Sequence, residues 1–215
     1  PSPRGNGNPK GVRKLVVVAA GESLLQPYRL PGIDVIMPDP SYIEARRTDL
    51  LGLVLTHGHE DHLGAVQYLW PRLQCPIYAT PFAAALLRSK LAETDFGDQI
   101  DIYEMSLGTR FGLGPFDLEF ITMTHSIPEP NALAIRTRLG TVLHTGDFKI
   151  DPTPLIGKQL DSDVLRRVGD EGVLAMVCDS TNVFELGESG SEGLLRESLD
   201  GIISGHDGRI AITTF

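Results

Sequence analysis

A chain of 215 residues, 41% hydrophobic and 22% charged, has ordinary globular composition, with room for one good core and the start of a second unit. No apolar run approaches the roughly 18 residues of a membrane span, and these 215 residues do not open with a basic segment followed by an apolar core as a signal peptide would. The net charge of −9 argues against a broad basic surface, yet it leaves nucleic acid open, because a metal and a local basic patch can hold phosphate on an acidic protein.

Residues 1–10, rich in Pro, Gly and Asn, are expected to form a disordered tail. Lys14 to Ala20 reads as a first strand ended by Gly21, Leu30-Pro31-Gly32 as a turn, and Ile33 to Met37 as a short extended piece stopped by Pro38. Ser41 to Asp49 reads as a short polar helix with Ser41 as its N-cap. Leu51 to Leu55 is an apolar run with the look of a buried strand, and Leu63 to Trp70 has apolar residues at helical spacing. Between them stands Thr56-His57-Gly58-His59-Glu60-Asp61-His62, placed in the loop at the strand's carboxyl end.

Downstream, Pro76 to Ala79 is expected as a strand and Pro81 to Leu91 as a helix with proline in its first turn, the beat of an α/β layer fold. The rhythm then changes. Ile100 to Glu104, Phe116 to Thr124, Ala132 to Arg138 and Thr141 to Thr145 read as strands joined by short turns, Leu139-Gly140 being a tight one, so this portion is expected to be antiparallel. Gly172 to Cys178 is another apolar strand, Gly187 to Ser191 a loop, Ser191 the opening of a helix to about Ser204, and Arg209 to Thr214 a last strand. Cys75 and Cys178 both lie in or beside apolar strand-like segments and are expected as buried free thiols, which favours a reducing, cytoplasmic setting.

Three imidazoles and two carboxylates within six residues point to a metal site, since zinc takes nitrogen from His and oxygen from Asp. His57 and His59, two apart in an extended turn, can face one ion, and Asp61 and His62 a second. Two ions close together clamp a phosphoryl or carbonyl group and lower the pKa of a bridging water. His125, just past a strand, and Asp147, where Gly146 lets the backbone turn closely, are the further ligand candidates; a carboxylate at Asp147 could bridge both ions. Asp179, in Asp179-Ser180-Thr181-Asn182, ends another strand, and its polar neighbours could orient ligands or meet phosphate. His144 is read as packing or as support for the ligands, His206 as a plain turn residue, and Glu60 as either support for the ligands or solvated.

Taken together, Thr-His-Gly-His-Glu-Asp-His after a strand, Thr124-His125-Ser126-Ile127-Pro128-Glu129-Pro130-Asn131, Leu143-His144-Thr145-Gly146-Asp147-Phe148-Lys149 and Cys178 to Asn182 resemble the metallo-β-lactamase superfamily, and within it the β-CASP nucleases of the ribonuclease J type. The first motif alone speaks only for the superfamily; the other three, with Pro31 to Asp34 and Pro38-Asp39, narrow it. The resemblance implies an α/β fold: the first half of an αββα sandwich over residues 11–182, then the start of a β-CASP α/β domain over 183–215. It implies two zinc ions, one on His57, His59 and His125, the other on Asp61 and His62, with Asp147 bridging. It implies hydrolysis of RNA phosphodiesters by metal-bound hydroxide, with Asp61 and Asp147 in the catalytic group, acting endonucleolytically and also 5′ to 3′ from a monophosphorylated end. Ser126, Asp179, Ser180 and Asn182 are the candidates for substrate contact or ligand support, and a homo-oligomer is expected of the full-length protein.

The resemblance departs from the family at two places. No aspartate stands at the position that braces the metal loop from a second strand, and the chain ends inside the β-CASP insertion, ahead of the family's final zinc-ligand histidine. Weak zinc binding and little nuclease activity are therefore expected of residues 1–215 alone. A thioester or lactone hydrolase of the same fold, and a degenerate module that binds RNA or a partner without catalysis, are the two other readings.

Overall fold

The computed structural model describes residues 14–18, 23–24 and 35–213. The turn expected at Leu30-Pro31-Gly32 and the expected tail at 1–10 lie outside them. The chain divides into two compact units, Pro1–Ser106 with Gly112–Asp117, and Leu107–Phe111 with Leu118–Phe215.

The first unit is built on a four-stranded sheet in the order β1 (Leu15–Val18), β4 (Leu50–Val54), β5 (Ile77–Ala79), β6 (Ile102–Glu104), every pairing parallel. A small antiparallel pair, β2 (Ser23–Leu24) and β3 (Val35–Ile36), precedes β4. Parallel neighbours need crossovers, and helices supply them: α2 (Glu60–Leu63) and α3 (Val66–Leu73) between β4 and β5, then α4 (Pro81–Leu91) between β5 and β6. Leu53, Leu55, Leu63, Val66, Ile77 and Leu87 close the core between sheet and helices. Helix α4 starts at Pro81 as its sequence predicts, the missing amide of proline falling where no intrahelical bond is needed.

Two expectations about the first unit are corrected. Ser41 is the first residue of the one-turn helix α1 (Ser41–Glu44) rather than its cap; its amide and hydroxyl both donate to the Asp39 carboxylate, the hydroxyl at 2.5 Å. Ile100 to Glu104 does not open the antiparallel portion: β6 extends the first sheet in parallel, its neighbour supplied by the α4 crossover.

The second sheet has the order β11 (Val173–Val177), β10 (Gly140–His144), β9 (Asn131–Thr137), β8 (Phe116–Thr122), β7 (Arg110–Leu113). β9 and β10 form an antiparallel hairpin whose tight turn falls at Leu139-Gly140, held by the Thr137 hydroxyl, which donates to the Gly140 carbonyl at 3.0 Å and accepts from the Leu139 amide at 3.1 Å. β11 then joins β10 in parallel, after helix α5 (Ser162–Glu171). Ile121, Met123, Ala132, Ala134 and Val168 form the core of this unit.

Helix α6 (Glu192–Ser204) begins as expected, the Ser191 hydroxyl accepting from the Gly193 amide at 3.2 Å. The strand expected at Arg209 to Thr214 is absent over residues 209–213, which pair with no strand among the described residues; Ile212 there is 71% exposed, so no apolar face holds the segment extended. Cys75 is a buried free thiol as expected, but Cys178 is exposed, because it follows an edge strand whose residues Leu174, Met176 and Val177 are themselves exposed. No described helix is long and apolar enough to cross a membrane.

Candidate metal centre

In the first unit, β4 carries the chain through Val54 and Leu55, both fully buried, and releases it at Thr56. His57 is fully buried, and the Thr56 hydroxyl lies 3.1 Å from its Nδ1, which fixes the rotation of the ring. His59 has extended backbone at the edge of α2, and its carbonyl accepts from the amides of His62 and Leu63, both at 3.0 Å. That single helical turn gathers the imidazoles: ring centroids are 5.0 Å apart for His57 and His59 and 4.1 Å for His57 and His62. The donor atoms of His57 and His59 lie within 4.8 Å of each other, as do those of Asp61 and His62. Glu60 points elsewhere, its carboxylate 2.6 Å from the Lys90 ammonium, so it ties α2 to α4.

In the second unit, His125 follows β8 and Asp147 follows β10, and His125 Nε2 lies 3.8 Å from Asp147 Oδ2. Their loops are sewn together by the Lys149 amide, which donates to the Thr124 carbonyl at 2.8 Å. Gly146 has φ +58°, a left-handed turn that glycine adopts at least cost, and it redirects the chain so that Asp147 leaves the line of the strand. A cleft of about 850 Å³ opens here, with His125, Ser126, Asp147, Asp179, Ser180 and Asn182 among its walls. His144 accepts at Nδ1 from the Gly146 amide, 3.1 Å away. His206 is exposed past the end of α6.

Asp179 is held by its surroundings. Partial burial works to raise its pKa, but bonds from the Thr181 amide and hydroxyl, and then from the Phe148 amide, bring it below the ordinary carboxylate value. Its Oδ1 accepts from the Thr181 amide at 2.9 Å and its Oδ2 from the Phe148 amide at 3.5 Å.

Several contributors escaped the reading of the sequence. Thr145 is buried, and its hydroxyl joins the loops after β10 and β11, donating to the Gly146 carbonyl at 2.7 Å and accepting from the Asp179 amide at 3.0 Å. Asp151, also buried, accepts from the amides of Thr153 and Glu192, each at 2.9 Å. Those bonds, that to Glu192 first, draw its pKa from 3.8 down to about 2 against the opposing effect of burial. The Lys149 ammonium pairs with Glu192 at 2.5 Å and with Asp151 at 3.4 Å. The signal for Thr145 was its place between two candidate residues; nothing local announced Asp151.

The donor chemistry fits a divalent metal. Histidine nitrogen with aspartate oxygen is the set that borderline ions such as zinc accept; His57, His125 and Asp147 stand just past strand ends, whereas Asp61, on the one-turn helix α2, has a side chain 65% exposed.

Comparison with known proteins adds the lineage. The sequence matches the family described as the metallo-beta-lactamase superfamily over residues 14–206. It is 46% identical over 211 residues to a protein named ribonuclease J from Sinorhizobium meliloti, covering 98% of this chain and 37% of that one. It is 41% identical over 186 residues to a ribonuclease J from Synechocystis, covering 86% of this chain and 29% of that protein. Identity to a ribonuclease J from Helicobacter pylori is 36% over 204 residues, covering 94% and 30% respectively. The chain thus spans about a third of the length of these curated relatives.

Proposed function

Because the chain belongs to the metallo-β-lactamase superfamily, we propose that it is part of a zinc-dependent ribonuclease of the J type. The observation that carries this is the identity of 46% to a ribonuclease J, over almost the whole chain. The His and Asp donors described above lie within the matched residues. In this reading residues 11–182 are metallo-β-lactamase domain and 183–215 begin a β-CASP domain. The protein works in the cytoplasm as a homo-oligomer and acts on RNA, including 5′-monophosphorylated ends, both within the strand and from the 5′ end.

His57, His59 and His125 would hold one zinc, Asp61 and His62 the other, with Asp147 shared. When bound, zinc supplies Lewis acidity toward a phosphoryl oxygen and lowers the pKa of water so that a nucleophile exists at neutral pH. The residues of the chain supply the rest. The carboxylates of Asp61 and Asp147 accept hydrogen bonds and so orient the attacking water, while the buried Thr56 and Thr145 hold the segments that carry His57 and Asp147. Ser126, Ser180 and Asn182 offer hydroxyl and amide donors along the cleft, suited to phosphate and ribose oxygens. Asp179, kept ionised by its amide donors, accepts from the chain and repels a misplaced phosphate.

The test is a labelled 5′-monophosphorylated RNA, offered beside an acyl thioester and a lactone to the 215-residue chain and to any longer form its gene encodes. Cleavage of RNA that stops on chelation and returns with zinc supports the reading. Hydrolysis of the small esters without RNA cleavage would move the chain to another hydrolase of the superfamily. RNA binding with no metal uptake would make it a non-catalytic module.

A further inference from the structure

We infer that Thr145 is a positioning residue for the metal centre: its hydroxyl fixes the orientation of the peptide that presents Asp147. The inference rests on the metal-dependent reading above, and it concerns a residue named there neither as a ligand nor as a substrate contact.

At φ +58° Gly146 supplies the turn that Asp147 needs, but glycine is also the residue with the widest backbone freedom, so the turn left to itself would present Asp147 in several directions. The carbonyl of Gly146 belongs to the peptide joining it to Asp147. That carbonyl accepts the Thr145 hydroxyl at 2.7 Å. A bond there sets the plane of the peptide and with it the exit vector of the Asp147 side chain.

The same hydroxyl oxygen accepts from the Asp179 amide at 3.0 Å, so one atom gives a proton to the Asp147 loop and receives one from the loop after β11. Its direction is itself constrained: Thr145 is buried, its own amide donates to the Val177 carbonyl at 2.9 Å, and a β-branched side chain at such a position has few rotamers. The peptide on the other side of Asp147 is held from the facing loop, the Phe148 amide donating to Asp179 Oδ2. Asp147 is thus gripped before and after, and both grips pass through the Thr145–Asp179 junction.

Serine keeps the hydroxyl and valine keeps the shape. The experiment compares wild type, Thr145→Ser and Thr145→Val by zinc competition titration, by thermal unfolding without metal, and by amide hydrogen exchange without metal. The expected result is zinc affinity lowered about tenfold or more in Thr145→Val, the scale of outer-layer support at metal sites, with Thr145→Ser close to wild type. The Phe148 amide, which makes no bond to Thr145, is expected to exchange several-fold faster in Thr145→Val and at the wild-type rate in Thr145→Ser. Unfolding temperatures are expected to differ far less than the affinities. Equal Phe148 exchange in all three proteins would overturn the inference whether or not zinc binds. So would a Thr145→Ser protein as weak for zinc as Thr145→Val. Absence of zinc uptake by wild type would count against the metal reading alone, with the exchange result still deciding the role of Thr145.

Discussion

The ammonium of Lys149 sits 2.5 Å from the carboxylate of Glu192, two residues 43 apart in sequence, one just past the Asp147 turn and the other the first residue of α6. The same glutamate accepts through Oε2 from the Leu155 amide at 2.9 Å, and its own amide donates to Asp151. The start of α6 is therefore fastened to the segment that follows the candidate ligand, by an ion pair and by backbone bonds in both directions.

That fastening should respond to acid. The folded pKa of Asp151 is lowered from 3.8 to about 2, so the stability it contributes is present above pH about 4 and is lost as pH falls through about 2. Amide exchange at Glu192, followed from pH 5 to pH 2, is expected to accelerate relative to an amide in β9 as the carboxylate protonates. In Asp151→Asn the acceleration is expected to be present already at pH 5, and the acid step that remains is the one supplied by protonation of Glu192 itself, whose pKa is lowered by the Lys149 ammonium.

Ligand removal should separate the candidate donors from the histidine outside them. His59→Ala and His125→Ala are each expected to lower zinc affinity by at least tenfold, while His206→Ala, exposed past α6, leaves it unchanged. Calorimetric titration of the chelated protein checks this, and an effect of His206→Ala as large as that of His59→Ala would contradict it.

A methyl group at Gly97 would run into the Leu91 carbonyl, a backbone atom at the end of α4 that cannot swing aside. Gly97→Ala is expected to cost about 1–3 kcal/mol of unfolding free energy, read from urea denaturation. A variant as stable as wild type would show that the connection between α4 and β6 yields easily.

Glu119 is 7% exposed on β8 and is compensated by Arg136, 2.8 Å away, and by Arg167 of α5. Arg136→Met leaves the carboxylate with one cation and is expected to cost roughly 2–3 kcal/mol, whereas the double change Arg136→Met with Glu119→Leu recovers most of it. A double variant no more stable than the single one would assign the loss to packing of the arginine stem.

What the sequence made legible, and what it did not, divides by range. His57 to His62 could be read at once because six consecutive residues carry the signal, and Pro81 to Leu91 because proline and alanine mark a helix locally. Helix α5 was missed although its cap is local, Asp161 accepting from the Val164 amide at 3.0 Å, because only Val164, Leu165 and Val168 form its apolar stripe among charged residues. β7 was missed as a four-residue edge strand. Residues 209–213 were over-read as strand, since alternating apolar residues make a strand only where a neighbour accepts them. Thr145 and Asp151 act through partners 34 and 41 residues away, and no local pattern encodes that.

The two cysteines differ in a way that can be put to use. Burial pushes the Cys75 thiol up to about 11 and hides it in the first core, whereas Cys178 is exposed on the wall of the cleft that includes Asp147. A maleimide dye at neutral pH should therefore attach at one place without any mutation, and the protein carries its own reporter position for whatever enters that cleft.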